Sequence, residues 1–316
     1  MNKFFLLLVG MLALETYSHE FNPAHLIINQ SVQNANTYDA SWMYPLKNIG
    51  KRAEVIFPSS CNITSKDPYI KNKYLIEELA INCSKPLNGS AIKIENLSVL
   101  TDALITINFK DNTFEGIVNV QAPTINIPQN KKYYPTAYFY LGFDHLLDGL
   151  DHILFIFGLL FCISGFLNII KTITAFTIAH SLTLCMSVLG LLSLPQGTVE
   201  ALIALTIVFL ATEIYNKHNY AKTPWLMAFG FGLLHGLGFA GALNDIGVSS
   251  NQLFLSLLFF NVGIEIGQIA LIPIPLSIIY LSIRFNLLNQ AKIVMSLVVG
   301  GLGFYWFIDR VIGIIL

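Results

Sequence analysis

From Phe139 to its last residue the chain is almost continuously apolar, and this constrains the fold more than any other feature. Hydrocarbon offers no water to satisfy the backbone, so such a stretch is stable only as helices that bond internally. A span takes about 20 apolar residues for a core of roughly 30 Å. On that rule we read six spans, at 139–163, 172–193, 199–216, 225–243, 253–282 and 291–313. The fifth is long and carries Pro273 and Pro275, so a kink or tilt is expected there. Only 12% of the residues are charged, where a soluble domain has roughly a quarter. A net charge of −1 offers no basic face for nucleic acid; the partner implied by the composition is the lipid bilayer.

The first part of the chain is different. Met1 to Ser18 carries Lys3, an apolar run "FFLLLVGMLAL" and a polar end, which reads as a secretory signal peptide cleaved after Ser18. The alternative is an uncleaved anchor. From His19 to Tyr134 the chain is polar, with short β-branched runs such as "AHLIINQSV", "ALITINFK" and "EGIVNVQAP" separated by turn residues. Such runs suggest an antiparallel sandwich. "KYLIEELAINCS" fits a helix or a strand. Two cysteines in a small exported domain pair readily, so a Cys61–Cys83 disulfide is expected. The expected fold is thus a small exported all-β sandwich-like domain followed by an α-helical polytopic membrane domain. Its boundaries are 1–18 signal peptide, 19–134 exported domain and 135–316 membrane domain. The sequence names no protein partner for the exported domain.

Loop charge sets the orientation. Lys171, Lys217, Lys222, Arg284 and Lys292 fall in or beside alternate loops, whereas the loops "SLPQG" and "NDIGVSSN" have no Lys or Arg. The positive-inside rule then places the first set in the cytoplasm, with Arg310 as the exception. The expected location is the cell (inner) membrane, multi-pass, with the N-terminal domain on the periplasmic or extracellular side.

Ionisable residues inside spans are costly, and each one points to a functional site. Span 1 holds Asp144, His145, Asp148, Asp151 and His152; span 2 holds His180 and Ser181; span 3 holds Glu213. Span 4 holds His235, and span 5 holds Asn261, Glu265 and Gln268. His145 and His152 are seven apart, about two helical turns, so a continuous helix puts them on one face with Asp148 between. At ~1.5 Å per residue, His152, His180, His235 and Glu265 reach comparable depths, with His145 nearer the outer mouth. Ser181, Asn261 and Gln268 also suit hydrogen bonds between helices, and Glu213 lies close enough to the cytoplasmic edge to snorkel. Imidazoles with carboxylates suit nickel, cobalt or zinc better than magnesium or calcium. Gly149, Gly230, Gly232, Gly236, Gly238, Gly263 and Gly267 would let helices approach closely around such a site.

At these residues the sequence resembles the HupE/UreJ family of membrane proteins linked to nickel supply for hydrogenase and urease. The family's first-span signature, His, five residues, then Asp-His, appears as His145 to His152. The second, Phe-His-Gly followed by a Glu, is met in part: "LLHGLGFAGA" keeps His235-Gly236, with Leu234 for the Phe and Ala242 in place of the Glu. The chain is similar to the branch of that family with an exported N-terminal domain, and the likeness covers about 135–316. The resemblance implies a nickel or cobalt permease of six spans. On this reading His145 and Asp148 stand at the mouth, and Asp151, His152, His180, His235 and Glu265 form the central metal site. Glu265 takes the place of the missing acidic ligand. The alternative is an intramembrane zinc-dependent hydrolase, in which the same His/Asp cluster activates a water. A third reading makes the exported domain the functional part and the membrane domain its platform.

Overall fold

The computed structural model describes residues 23–46, 52–98, 101–129, 136–216, 223–246 and 253–315, with side chains for all of these but 240–246. The expected signal peptide Met1–Ser18, Lys217, Lys222 and the end of the "NDIGVSSN" loop lie outside the described residues. The chain forms two compact units, Asn22–Leu141 with Ala242–Phe260, and Gly142–Gly241 with Asn261–Leu316.

The first unit is built on ten strands: β1 Ala24–Gln30, β2 Thr37–Pro45, β3 Glu54–Ile56, β4 Cys61–Ser65, β5 Tyr69–Lys71, β6 Tyr74–Cys83, β7 Ala91–Glu95, β8 Ala103–Asn108, β9 Thr113–Val118 and β10 Thr124–Asn126. Seven form one sheet in the order β4-β6-β2-β1-β8-β9, with β5 also on β6; three form a second, β10-β7-β3. The segment "KYLIEELAINCS" becomes the long strand β6, whose alternation puts Leu79, Ile81 and Cys83 into the core, while Tyr74 and Ile76, of the opposite parity, are buried outside that core. Residues of both sheets, among them Leu26, Trp42, Ile81, Ile92, Ile94 and Ile105, share one hydrophobic core. Trp42 within it donates its indole N–H to the Ala53 carbonyl at 3.2 Å. Cys61 stands opposite Cys83 in the β4–β6 register and is disulfide-bonded to it. One pairing departs from the antiparallel expectation: β1 and β8 run parallel. The chain returns to β1 only after six intervening strands, and so long a connection allows a parallel neighbour that a tight hairpin does not.

Among the described residues eight helices follow: α1 Thr136–Asp148, α2 Leu150–Cys162, α3 Phe166–Val188, α4 Gln196–Tyr215, α5 Pro224–Ile246, α6 Leu253–Leu271, α7 Pro273–Arg284 and α8 Leu288–Ile315. Helices α3, α4, the α6–α7 pair and α8 are each long and apolar enough to cross a membrane, and α1 with α2 make a fifth candidate if the bent pair counts as one. The structure therefore supports four or five spans among the described residues, against the six read from sequence. The one not supported is the fourth, 225–243, which falls on α5, whose described apolar stretch ends at Phe239. At the expected irregularity of the fifth span α6 gives way to α7 at Ile272, because Pro273 has no N–H for the hydrogen-bond ladder, but Ile272 keeps helical angles and Leu253–Arg284 runs on as one span. Span 1 was expected to be one continuous helix; it is instead broken at Gly149 and bent by 71°. Glycine weakens a helix interior, and Gly149 takes an extended ψ of 96°.

Helices α4 and α8 pack through Ala204, Ile207 and Ala211 against Val299 and Trp306. Arg310, the exception to the loop-charge pattern, has its Nε 2.8 Å from Glu200 Oε2 of α4. An ion pair between two helices accounts for that cation without an appeal to topology.

Candidate metal centre

The bend at Gly149 decides the geometry of the centre. In a continuous helix His145 and His152 would be separated by a rise of about 10.5 Å. Here their ring centroids are 4.9 Å apart. The expected stack from mouth to midplane is thus replaced by two adjoining imidazoles. Glycine is needed at this corner for space: a Cβ on residue 149 would lie 2.5 Å from His152 Nδ1 and 3.1 Å from Asp151 Oδ1.

Two further helices bring their histidines to the same place. His152 and His235 of α5 have ring centroids 5.1 Å apart. His180 of α3 joins His145 and His152 in a triad whose potential ligand atoms all lie within 4.8 Å of one another. Asp151, His152 and His235 form a second triad by the same measure. Three ligand atoms spread around one ion at about 2.0–2.1 Å lie roughly 3.3–3.6 Å apart, so either triad would have to draw in by up to about 1.5 Å to share an ion. All four histidines are buried, and Asp151 is partly so, with its Oδ1 3.2 Å from His152 Nδ1. Neither ring nitrogen of His235 has a hydrogen-bond partner. Buried imidazoles without partners are costly unless something else satisfies them.

Close helix approach makes the convergence possible. A Cβ at Gly236 would collide with the His180 carbonyl oxygen and the Thr183 hydroxyl. The glycine after His235 therefore lets α5 lie directly on the α3 backbone at His180. Aromatic rings complete the surroundings: Phe239 is 4.3 Å from His145 by ring centroids, and Phe176 and Phe155 are 5.2 and 5.4 Å from His235. Nothing in the sequence singles out these three phenylalanines, because aromatic residues in an apolar run look like ordinary packing.

The remaining candidates are placed elsewhere. Asn261 meets the centre from α6, its Oδ1 3.2 Å from His180 Nδ1. Glu265 lies outside both triads and accepts a hydrogen bond from Thr174 at 2.6 Å. Gln268 Oε1 is 3.1 Å from the Thr177 hydroxyl. The Ser181 hydroxyl donates to the Thr177 carbonyl of its own helix at 2.7 Å. Asp148 is exposed and belongs to neither triad. Glu213 lies within electrostatic reach of Cys162, as does Lys292, and is likewise in neither triad.

The family description "HupE / UreJ protein" matches residues 121–310, more than half of the chain. The chain belongs to the HupE/UreJ family. Comparison with curated proteins and with solved structures gives no match. The HupE/UreJ family is associated with nickel and cobalt transport, and with its long apolar helices this member is a multi-pass membrane protein. Its HupE/UreJ first-span motif supplies His145, Asp151 and His152, three of the five groups in the two triads. The His-Gly pair of the second motif supplies His235 and the glycine that seats it.

Proposed function

We propose that this protein is a permease for a divalent transition-metal cation, nickel or cobalt, which it binds at the two triads on its way through the membrane. One observation carries the reading: four buried imidazoles from α1, α2, α3 and α5 meet beside a carboxylate. A cation entering such a centre exchanges water for nitrogen and oxygen ligands. Imidazole suits nickel, cobalt and zinc, whereas magnesium and calcium prefer oxygen. His180 serves as a ligand through Nε2 when Nδ1 carries the proton and donates to Asn261, which fixes ring and tautomer together. Ligands distributed over two overlapping triads bind firmly enough to admit the cation and loosely enough to release it. The proposal includes six spans in the inner membrane, basic loops in the cytoplasm and a sandwich-like N-terminal domain exported by a cleaved signal peptide.

The test is nickel or cobalt accumulation in cells expressing the full chain, with His152→Ala as the variant. Accumulation should fall to the level of cells without the protein; unchanged accumulation would overturn the proposal. The hydrolase reading rests on the His/Asp cluster alone and draws no help from Ser181, whose hydroxyl donates to the Thr177 carbonyl of its own helix. Zinc that co-purifies in stoichiometric amount and exchanges slowly, without any accumulation, would bring that reading back.

A further inference from the structure

The first unit holds a second buried polar group, unrelated to the imidazole centre. Alternation along β1, β8 and β9 directs Leu26, Ile28, Ile105, Ile107, Phe114 and Val118 into the shared core. His25, Thr106 and Glu115 therefore point to the other side of the sheet. An open sheet would show these positions to water. Here His25 is fully buried, and Thr106 and Glu115 are only 2% and 6% exposed. Thr106 faces Glu115 across the β8–β9 register, and its hydroxyl is 2.9 Å from His25 Nε2. The same compact unit includes the first turns of α1 and α6, where Tyr138 and Ser256 are fully buried.

Four oxygens in this group are buried without a hydrogen bond of good geometry: both carboxylate oxygens of Glu115, the Tyr138 hydroxyl and the Ser256 hydroxyl. Ser256 lies near enough to favour the carboxylate's charge, and Tyr138 near enough to feel it. No described lysine or arginine acts on Glu115. A buried carboxylate with no cation is far costlier than the neutral acid, so the environment selects the protonated form. We propose that Glu115 is a proton-binding switch of the β-sheet region: as the neutral acid it lets the first turns of α1 and α6 pack on the sheet, and as the carboxylate it draws in water and loosens them.

Burial pushes the Glu115 carboxyl up to about 7 from an ordinary value of 4.5. The packed form thus holds the proton more tightly than the opened one. Packing is strongest below the ordinary value, weakens as pH rises through the window up to about 7, and changes little above it. The neighbours facing the carboxyl are Thr106 of β8, Tyr138 of α1 and Ser256 of α6, with His25 one step further across the sheet.

The test uses the full chain in detergent, as wild type, Glu115→Gln and Ser256→Ala. Infrared titration should show a carboxylic-acid band that persists to near neutral pH, is absent from Glu115→Gln, and titrates at still higher pH in Ser256→Ala. Hydrogen exchange of 138–141 and 256–260, corrected for intrinsic rates, should open on the order of 100-fold more at high than at low pH in wild type and not in Glu115→Gln. A Glu115 band that vanishes in the ordinary carboxylate range would overturn the proposal. So would pH-dependent opening that survives in Glu115→Gln, or a midpoint that falls when sodium replaces an inert cation, since the site would then hold sodium. Metal accumulation enters none of these readouts, so the permease proposal and this one fail separately.

Discussion

The two units each bury a polar cluster, and the clusters differ in how many ligating groups they hold and in which atoms they offer. In the helical unit four imidazoles and a carboxylate arrive from four helices, and nitrogen dominates. In the sheet-based unit a single carboxyl meets the hydroxyls of Thr106, Tyr138 and Ser256, with one imidazole a step further away, and oxygen dominates. The first set can replace the water around a transition-metal cation; the second has one negative charge and can be neutralised by one proton. Burial alone therefore does not say what a polar cluster binds. The count and softness of its donors do.

Four substitutions sharpen or break this comparison, from the largest expected effect to the smallest. His152→Ala removes the residue common to both triads and should abolish metal binding by the purified protein, a greater loss than the roughly 10–100-fold typical of an outer partner. Equilibrium dialysis with nickel measures it; a bound ion retained at wild-type affinity would leave the imidazole cluster without its assigned role. Cys83→Ala acts on the other unit alone. It opens a disulfide of sequence separation 22 and should cost the sheet about 3 kcal/mol, seen in hydrogen exchange of β4 and β6, while nickel binding is kept. Gly236→Ala places a methyl group against the α3 backbone and should cost about 1–3 kcal/mol through overpacking, with weaker nickel binding in the same preparation. Stability without that loss of affinity would separate the seat of α5 from the centre. Asn261→Leu should weaken binding by about tenfold through loss of the His180 partner, with little change in thermal unfolding.

The parts of the structure that sequence could reach follow from rarity and alternation. His152, His180 and His235 stand out because an imidazole in an apolar run needs a reason, and the structure gathers them. The Cys61–Cys83 pair was accessible because only two cysteines precede the first helix. The bend at Gly149 was not. A seven-residue spacing looks the same whether the helix continues or folds back, so His145 was placed at the mouth when it joins the centre. Glu265 was drawn in as an acidic ligand by its depth and by the missing motif glutamate; it lies outside both triads, and one of its oxygens accepts from Thr174 on the facing helix. Glu115 escaped notice because alternation marks it as an outward residue, and nothing local reveals that the outward face is covered.

The bend at Gly149 has a further consequence for how coordination is assembled. His145 and His152 are brought together by a loop of only a few residues, so little chain entropy is lost in closing the pair. In the proposed metal site that pair would be supplied by one short segment, with α3 and α5 adding the His180 and His235 ligands. A shift of either helix by an ångström or two would change the coordination number while the local pair stays intact. An ion held in this way can be loosened by helix movement without the site being dismantled.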